Sequence, residues 1–229
     1  FEYVKENMTK KKRAQPKLTV KDYNNIDYNS ITTKSKLDEL IKDMFEVFEQ
    51  NASDYELKET HEFAMILPKQ YWDMGSYNNW IRVGWALKNT SPKLLLTWLK
   101  FSSQSKEFEW SNICEYIDQW NDFDFDNPDG LTCRSIMYWA KIDNPKEYYK
   151  VRAATISYYI DLTVTHATEW DFAQVLYQMC KDEFICVSIK NNIWYEYRKH
   201  RWYEIDSGNT LRSMISKKMH DMYMKKVTD

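Results

Sequence analysis

At 229 residues, with 43% hydrophobic and 16% aromatic side chains, the chain can bury a real core and is not a disordered polymer. Only four Gly and five Pro, and a net charge of −2, describe long regular elements with few sharp turns, which points toward helix. No run of 18 apolar residues could cross a bilayer, and no signal-like stretch follows Phe1, so a piece of a longer intracellular chain, not a membrane protein, is expected. The four cysteines, Cys114, Cys133, Cys180 and Cys186, lack C-x-x-C pairs and zinc spacing to His, so they are expected to be reduced and structural.

In chain order, residues 1–34, with "TKKKRAQPK" and "DYNNIDYNS", carry no apolar period and read as a basic, polar linker. Ser35 and Asp38 resemble a capping box, and Leu37, Leu40, Ile41, Met44, Phe45 and Phe48 then make 36–50 an amphipathic helix. Pro68 ends whatever "HEFAMIL" forms. Helices are predicted at about 77–89, 92–101 (Pro92 first), 108–120, 132–141 and 146–160, and a further one in "ATEWDFAQVLYQMC". The short β-branched and aromatic runs "FICVSI", "IWYEY" and "RWYEI" then predict a three-stranded meander, and "SGNTLRSMISKKMHDMYMKK" a closing helix with Leu211, Met214, Ile215 and Met222 inward. The fold class expected is mainly α: a helical domain over 35–160, then a small α+β domain over 161–229 with a short antiparallel meander.

"NNWIRVGWALKN" poses the main functional question. On a helix Trp80, Val83, Gly84 and Leu87 share one stripe with Trp85 beside it, and Gly84 would admit a neighbouring helix. A stacking surface for single-stranded DNA would instead need exposed rings among Lys and Arg, and only Arg82 and Lys88 are near. Trp80, Gly84, Trp85, Trp98 and Trp139 are therefore expected in the core. Charge is uneven: residues 1–20 and 186–229 are each +4, while 102–147 is −6, so a polyanion belongs at the ends.

Signals for chemistry are few. In "NDFDFDNPDG", Asp122, Asp124 and Asp126 could project from one face of a strand and hold a divalent metal for nucleotidyl transfer. As a calcium loop the run fails, because Asn127 and Cys133 occupy the Gly and Glu positions, and a solvated acidic turn is the expected reading. No G-x-x-x-x-G-K-[ST] loop exists. His61, His166, His200 and His220 lie far apart, with His61 and Glu62 expected as a surface pair. No catalytic, cofactor or metal residue is assigned. The basic groups are Arg198, Lys199 and Arg201 in "YRKHRW" and Lys217, Lys218, Lys225 and Lys226 on the closing helix, the latter expected as a stripe opposite Leu211, Met214, Ile215 and Met222. They are the candidate contacts for nucleic acid or for a helicase ring.

"NWIRVGWALKN", "TWLKFS", "EW", "QWN" and "LTCRSIMYWAKIDNP", in that order, resemble the second type of primase C-terminal domain found after archaeo-eukaryotic-type primases. The matching anchors are Trp80, Gly84, Trp85, Leu87, Asn89, Trp98, Phe101, Ser102, Trp110, Trp120, Trp139, Ala140 and Pro145. "TEWDFAQVLYQM", "FICVSIKNNIWYEYRKHRWYEID" and "LRSMISKKMHDMY" resemble the domain preceding superfamily III helicases in poxvirus-type primase-helicases of nucleo-cytoplasmic large DNA viruses. The chain departs from the family at Cys133, Arg134 and Ser135, where Gly or Thr is usual before the "YWA" helix. The resemblance implies a viral DNA replication enzyme with primase at one end and a hexameric, ATP- and magnesium-dependent helicase at the other. This segment would join the two, assist ring assembly and guide DNA, in host cytoplasm at the viral replication site or in the virion. A free-standing single-strand binding module and a metal-dependent nucleotidyl transferase are the competing classes.

Overall fold

The computed structural model describes residues 28–49 and 54–228; the basic run expected in residues 1–20 lies outside them. The fold is mainly helical with one small antiparallel sheet, and it divides into two compact units between Val151 and Arg152, where the sequence reading put the boundary at 160. Among the described residues no helix is long and apolar enough to cross a membrane.

The first unit contains α1 (Lys34–Glu49), α2 (Tyr55–Met65), α3 (Tyr77–Thr90), α4 (Leu95–Ser102), α5 (Ile113–Asp122), α6 (Cys133–Asp143) and the start of α7 (Pro145–His166). Short 3-10 turns at Pro92–Leu94 and Trp110–Asn112 lead into α4 and α5. The cap of α1 is Thr33, not Ser35: the Thr33 hydroxyl accepts from the Lys36 N–H at 3.3 Å. Tyr28 and Ile31, inside the stretch expected to be a linker, are fully buried.

Helix α2 has no clear apolar period because its inner face carries polar groups. Glu59, Thr60 and His61 are buried with Phe63 and Ala64. His61 is therefore not a surface residue. Its Nδ1 is 2.9 Å from the Thr97 hydroxyl, and its ring meets Phe45 edge-on at 4.7 Å. Burial, aided by Lys100 and Lys58, depresses its pKa to about 3.

The core of the unit is built around Trp98, which has no exposed surface. Trp80 stacks on it at 4.5 Å, Phe123 meets it edge-on at 5.6 Å, and Trp120 and Phe101 lie at 6.4 and 6.5 Å. Gly84 on α3 makes the space: a Cβ there would fall 2.9 Å from the Trp98 ring and 2.6 Å from Phe123. What approaches the glycine is thus two aromatic rings. Trp80 and Trp139 are half-buried against this core, but Trp85 is 46% exposed, contrary to expectation. Val83, Gly84 and Leu87 set the buried side of α3, and Trp85 points toward solvent because it stands two residues, about 200° round the helix, from both Val83 and Leu87.

The second unit contains the rest of α7, α8 (Glu169–Cys180), β1 (Phe184–Ser188), β2 (Ile193–Arg198), β3 (Arg201–Ile205), α9 (Asn209–Met214) and α10 (His220–Thr228). Thr168 and Asp171 cap α8 reciprocally, the Thr168 hydroxyl accepting from the Asp171 N–H at 3.2 Å. The strands form an antiparallel meander in the order β1-β2-β3. One sheet end packs Phe184 and Trp194 on Cys180, Leu211 and Met214. Arg152, buried, donates through its guanidinium to the Gln178 side chain at 3.2 Å and to the Gln178 carbonyl.

Two tests follow from the packing. Gly84→Ala should cost about 1–3 kcal/mol by overpacking and Trp98→Ala about 3–5 kcal/mol, while Trp85→Ala should cost about 1 kcal/mol or less, read from urea midpoints. The second concerns His61. Its folded pKa is below the unfolded value near 6.5, so the unfolded chain binds the proton first and stability falls as pH drops from about 6.5 toward 3. Lowering pH from 7 to 5 should cost roughly 2 kcal/mol, at about 1.4 kcal/mol per unit, and His61→Gln should remove most of that loss.

Candidate nucleic-acid interface

The two cations of the tryptophan-bearing helix do not make a stacking surface for a polyanion. Lys88 is buried with its ammonium 5.3 Å from the Trp120 ring centre, and Arg82 lies 5.0 Å over Trp139. A cleft of about 230 Å³ is walled by Trp72, Tyr77, Trp80, Phe108 and Tyr116, but Asp73 and Glu107 also line it. Trp80 is fixed there by its Nε1–H, which donates to the Ser102 hydroxyl at 2.9 Å. The Tyr116 phenol is pushed above its usual range by burial and by Glu115, Glu109 and Glu107.

The acidic run does not form a metal centre. Asp122, Asp124 and Asp126 are exposed, and among the described residues no group of three His, Cys, Asp or Glu could hold a metal ion. Asn89 organises this loop instead. Its Oδ1 accepts from the Asn127 N–H at 2.8 Å, and its Nδ2 donates to the Asn127 and Leu131 carbonyls, each at 3.0 Å. Nearby, the Thr90 hydroxyl accepts from the Cys133 N–H at 2.6 Å, and Ser135 accepts from the Thr132 N–H at 3.2 Å. Cys133, Arg134 and Ser135 are accordingly the first turn of α6.

In the second unit, β2 and β3 pair Tyr197 with Trp202 and Arg198 with Arg201, leaving Lys199 and His200 as a two-residue turn. Both turn residues have positive φ, 47° and 62°. This is the type I′ geometry that suits the twist of a hairpin and is usually supplied by Asn-Gly, so Lys and His there each cost roughly 1 kcal/mol or more. The strain holds a cation at the extreme tip. Arg198, Lys199 and Arg201 are all exposed, and the Arg198 guanidinium lies 4.8 Å over the Tyr203 ring. Strand alternation puts Arg198, Arg201 and Tyr203 on one face and Tyr197 and Trp202 on the other. These exposed rings were not assigned any role from sequence, although the alternation around "YRKHRW" was there to show them.

The closing helix differs from the expected stripe. Lys218 is seven residues from Leu211, and Lys225 seven from Lys218, so on a regular helix all three stand on one side, not opposite sides. The chain relieves this conflict with a π turn over Ile215–Met219, which adds about a residue to the turn and leaves Met219 half-buried while Lys218 stays exposed. Lys218 and Lys225 line a recess of about 380 Å³ together with Met214 and Met222, facing Glu183 and Asp221 in the same walls. Lys226 is 2.9 Å from Asp161 and bonds the Ser157 hydroxyl at 3.3 Å. Lys217 is exposed. The structure therefore brings Arg198, Lys199 and Arg201 together at one turn and sets Lys218, Lys225 and Lys226 beside acids, with Lys217 exposed.

Residues 66–140 match the family described as Primase C terminal 2 (PriCT-2). The chain is similar to viral proteins named "Putative primase" and "Putative helicase". It is 34% identical over 149 residues to a protein of Acanthamoeba polyphaga mimivirus named "Putative helicase", covering 64% of this chain and 15% of that one. An African swine fever virus protein named "Putative primase" is 29% identical over 154 residues, 63% of this chain and 16% of its own length. A Frog virus 3 protein named "Putative helicase" is 27% identical over 143 residues, 60% of this chain and 14% of its own. The chain thus spans about 15% of the length of these relatives. The PriCT-2 stretch contains the Trp80–Ser102 bond, the Gly84–Trp98 contact and the Asn89 clamp, so its anchors do packing work; the basic hairpin lies outside it.

Loss of the Asn89 clamp leaves two carbonyls and an N–H to find water. Asn89→Ala should lower stability by about 1–3 kcal/mol, and amide exchange should accelerate at Asn127.

Proposed function

We propose that this chain is the joining segment of a viral DNA replication primase-helicase, set between a primase and a hexameric helicase that uses ATP and magnesium. The PriCT-2 match and the names of the relatives support the setting. Host cytoplasm, at the viral replication site, and the virion are the locations this reading expects. In it, the segment performs no chemistry of its own. The helical unit is a rigid carrier for the primase side. The α+β unit assists assembly of the ring and guides DNA.

The observation that carries DNA guidance is the hairpin tip, where Arg198, Lys199 and Arg201 stand exposed around a turn that the backbone adopts only at a cost. Cations so placed meet phosphates without reading sequence, releasing counterions as they do. The lysines of the closing helix contribute less in this reading. Lys226 already has Asp161, and Lys218 and Lys225 share their recess with Glu183 and Asp221.

Replacing Arg198, Lys199 and Arg201 together by Glu should weaken binding of single-stranded DNA. It should also reduce the slope of log affinity against log salt by about 2, three contacts at about 0.7 each. Lys226→Ala, measured in parallel, should leave the slope in place. If the triple variant keeps its fold, its affinity and its slope, the hairpin is not the DNA contact and the segment joins proteins only.

A further inference from the structure

We infer that the β2–β3 hairpin distinguishes single-stranded nucleic acid from duplex by stacking unpaired bases on Tyr197 and Trp202, while the cations of its tip hold the adjoining phosphates. The inference rests on the nucleic-acid reading of the hairpin given above and adds the part of the strand that it recognises.

The observations are local to the meander. Tyr197 and Trp202 are directly opposite across the strands, their ring centres 5.2 Å apart and their planes tilted by 56°. They remain 43% and 47% exposed, so neither is a core residue. On the same sheet face Ile185 pairs with Tyr195, whose phenol donates to Glu204 at 3.2 Å, and Ile185 too is about half exposed. None of the unit's described residues covers the distal part of this face: β3 is exposed at every position from Arg201 to Glu204 and buried only at Ile205. A cross-strand aromatic pair does stabilise a hairpin. That role alone does not account for the company it keeps, because Arg198, Lys199 and Arg201 adjoin the pair at the turn, while the hairpin's two carboxylates, Glu196 and Glu204, stand further along the strands.

Charge complementarity decides the occupant. An apolar protein surface would gain nothing from the exposed cations beside it, Lys199 at the tip and Arg198 and Arg201 on the reverse face of the ribbon, and an acidic peptide would gain nothing from a bare indole and phenol. A single strand offers both kinds of partner at once: π faces that tolerate any base, and a phosphate at every nucleotide. Duplex DNA keeps its bases stacked inward and could use only the cations.

The test uses the 229-residue chain and two fluorescein-labelled strands of about 20 nucleotides, oligothymidylate and an abasic strand with the same phosphates, read by anisotropy over a series of salt concentrations. The chain should bind the thymidylate strand tighter than the abasic strand and the matching duplex, on the order of tenfold. The double variant Tyr197→Leu, Trp202→Leu should lose that preference while keeping the salt slope, and Trp202→Phe should retain most of it. Far-UV circular dichroism checks the fold; should the double variant unfold, the single variant Tyr197→Leu, which leaves Trp202 in place, decides, and it should lose part of the preference. Equal binding of thymidylate and abasic strands, or a preference that survives folded leucine variants, would overturn the inference; a steep salt slope in the same data would leave the phosphate reading standing. No binding of either strand would remove both. A Trp202-dependent self-association without base preference would assign the face to protein and also overturn it.

Discussion

The contact between Gly84 and the Trp98 ring governs the architecture of the helical unit. An indole is a large plate, and α3 can lie against it only where the helix has no side chain. With Gly84 in place, Phe123 closes the other side, Trp80 and Trp120 pack around it, and α3, α4 and α5 take their positions from one ring. The same contact fixes Trp80 well enough for its N–H to find Ser102, and it brings the end of α3 to the loop that Asn89 holds. A unit packed in this way is stiff. Interiors close-packed around aromatic plates transmit load and do not deform smoothly.

Most of this was legible from period alone. The stripe Val83, Gly84, Leu87 identified the buried side of α3, and alternation in "IWYEY" and "RWYEI" identified two paired strands. What escaped has separate physical causes. Helix α2 hides buried polar groups, so its apolar period is blurred, and His61 is inside because Thr97 and Phe45 receive it. Trp85 shows the limit of composition: a tryptophan next to a core glycine still stands about 200° round the helix from Val83 and Leu87. The closing helix departs from the expected stripe on a point of geometry, since Lys218 and Lys225, seven and fourteen residues from Leu211, stand on its side of a regular helix, and a π turn over Ile215–Met219 resolves this. Thr33 displaced Ser35 as a cap by two residues, within the usual uncertainty of helix ends.

The two units use their aromatic residues in contrasting ways. In the helical unit most tryptophan and phenylalanine rings are turned inward or onto a cleft, with Trp85, Tyr138 and Tyr149 left exposed, while most carboxylates of residues 102–147 face solvent and disfavour phosphate there. In the α+β unit the buried core is small, and Tyr197, Trp202 and Tyr203 are left at the surface beside cations. Of the charge asymmetry visible in the sequence, the acidic stretch 102–147 falls in the helical unit and the basic hairpin in the α+β unit, while the basic run of residues 1–20 lies outside the described residues. It was the strand register, not the charge count, that separated the three tip residues from the four helix lysines.

The backbone gives a further reason to treat the hairpin tip as the working part of the α+β unit. A turn at Lys199 and His200 with both residues in the left-handed region is a less stable way to reverse a chain than Asn-Gly would be. Strain of this kind persists only where surrounding structure over-determines it, and here that structure is the five-pair register of β2 with β3 and the Tyr197–Trp202 contact. The aromatic pair therefore stabilises a turn that a Lys-His sequence would otherwise resist, and the turn in return holds Arg198 and Arg201 side by side despite their like charge. Two cations forced together and left in solvent lower their energy when an anion arrives. That mutual repulsion is the physical ground on which the proposed phosphate contact is put at the tip and not on the closing helix, where Lys226 already has Asp161 and Lys218 and Lys225 share a recess with acids.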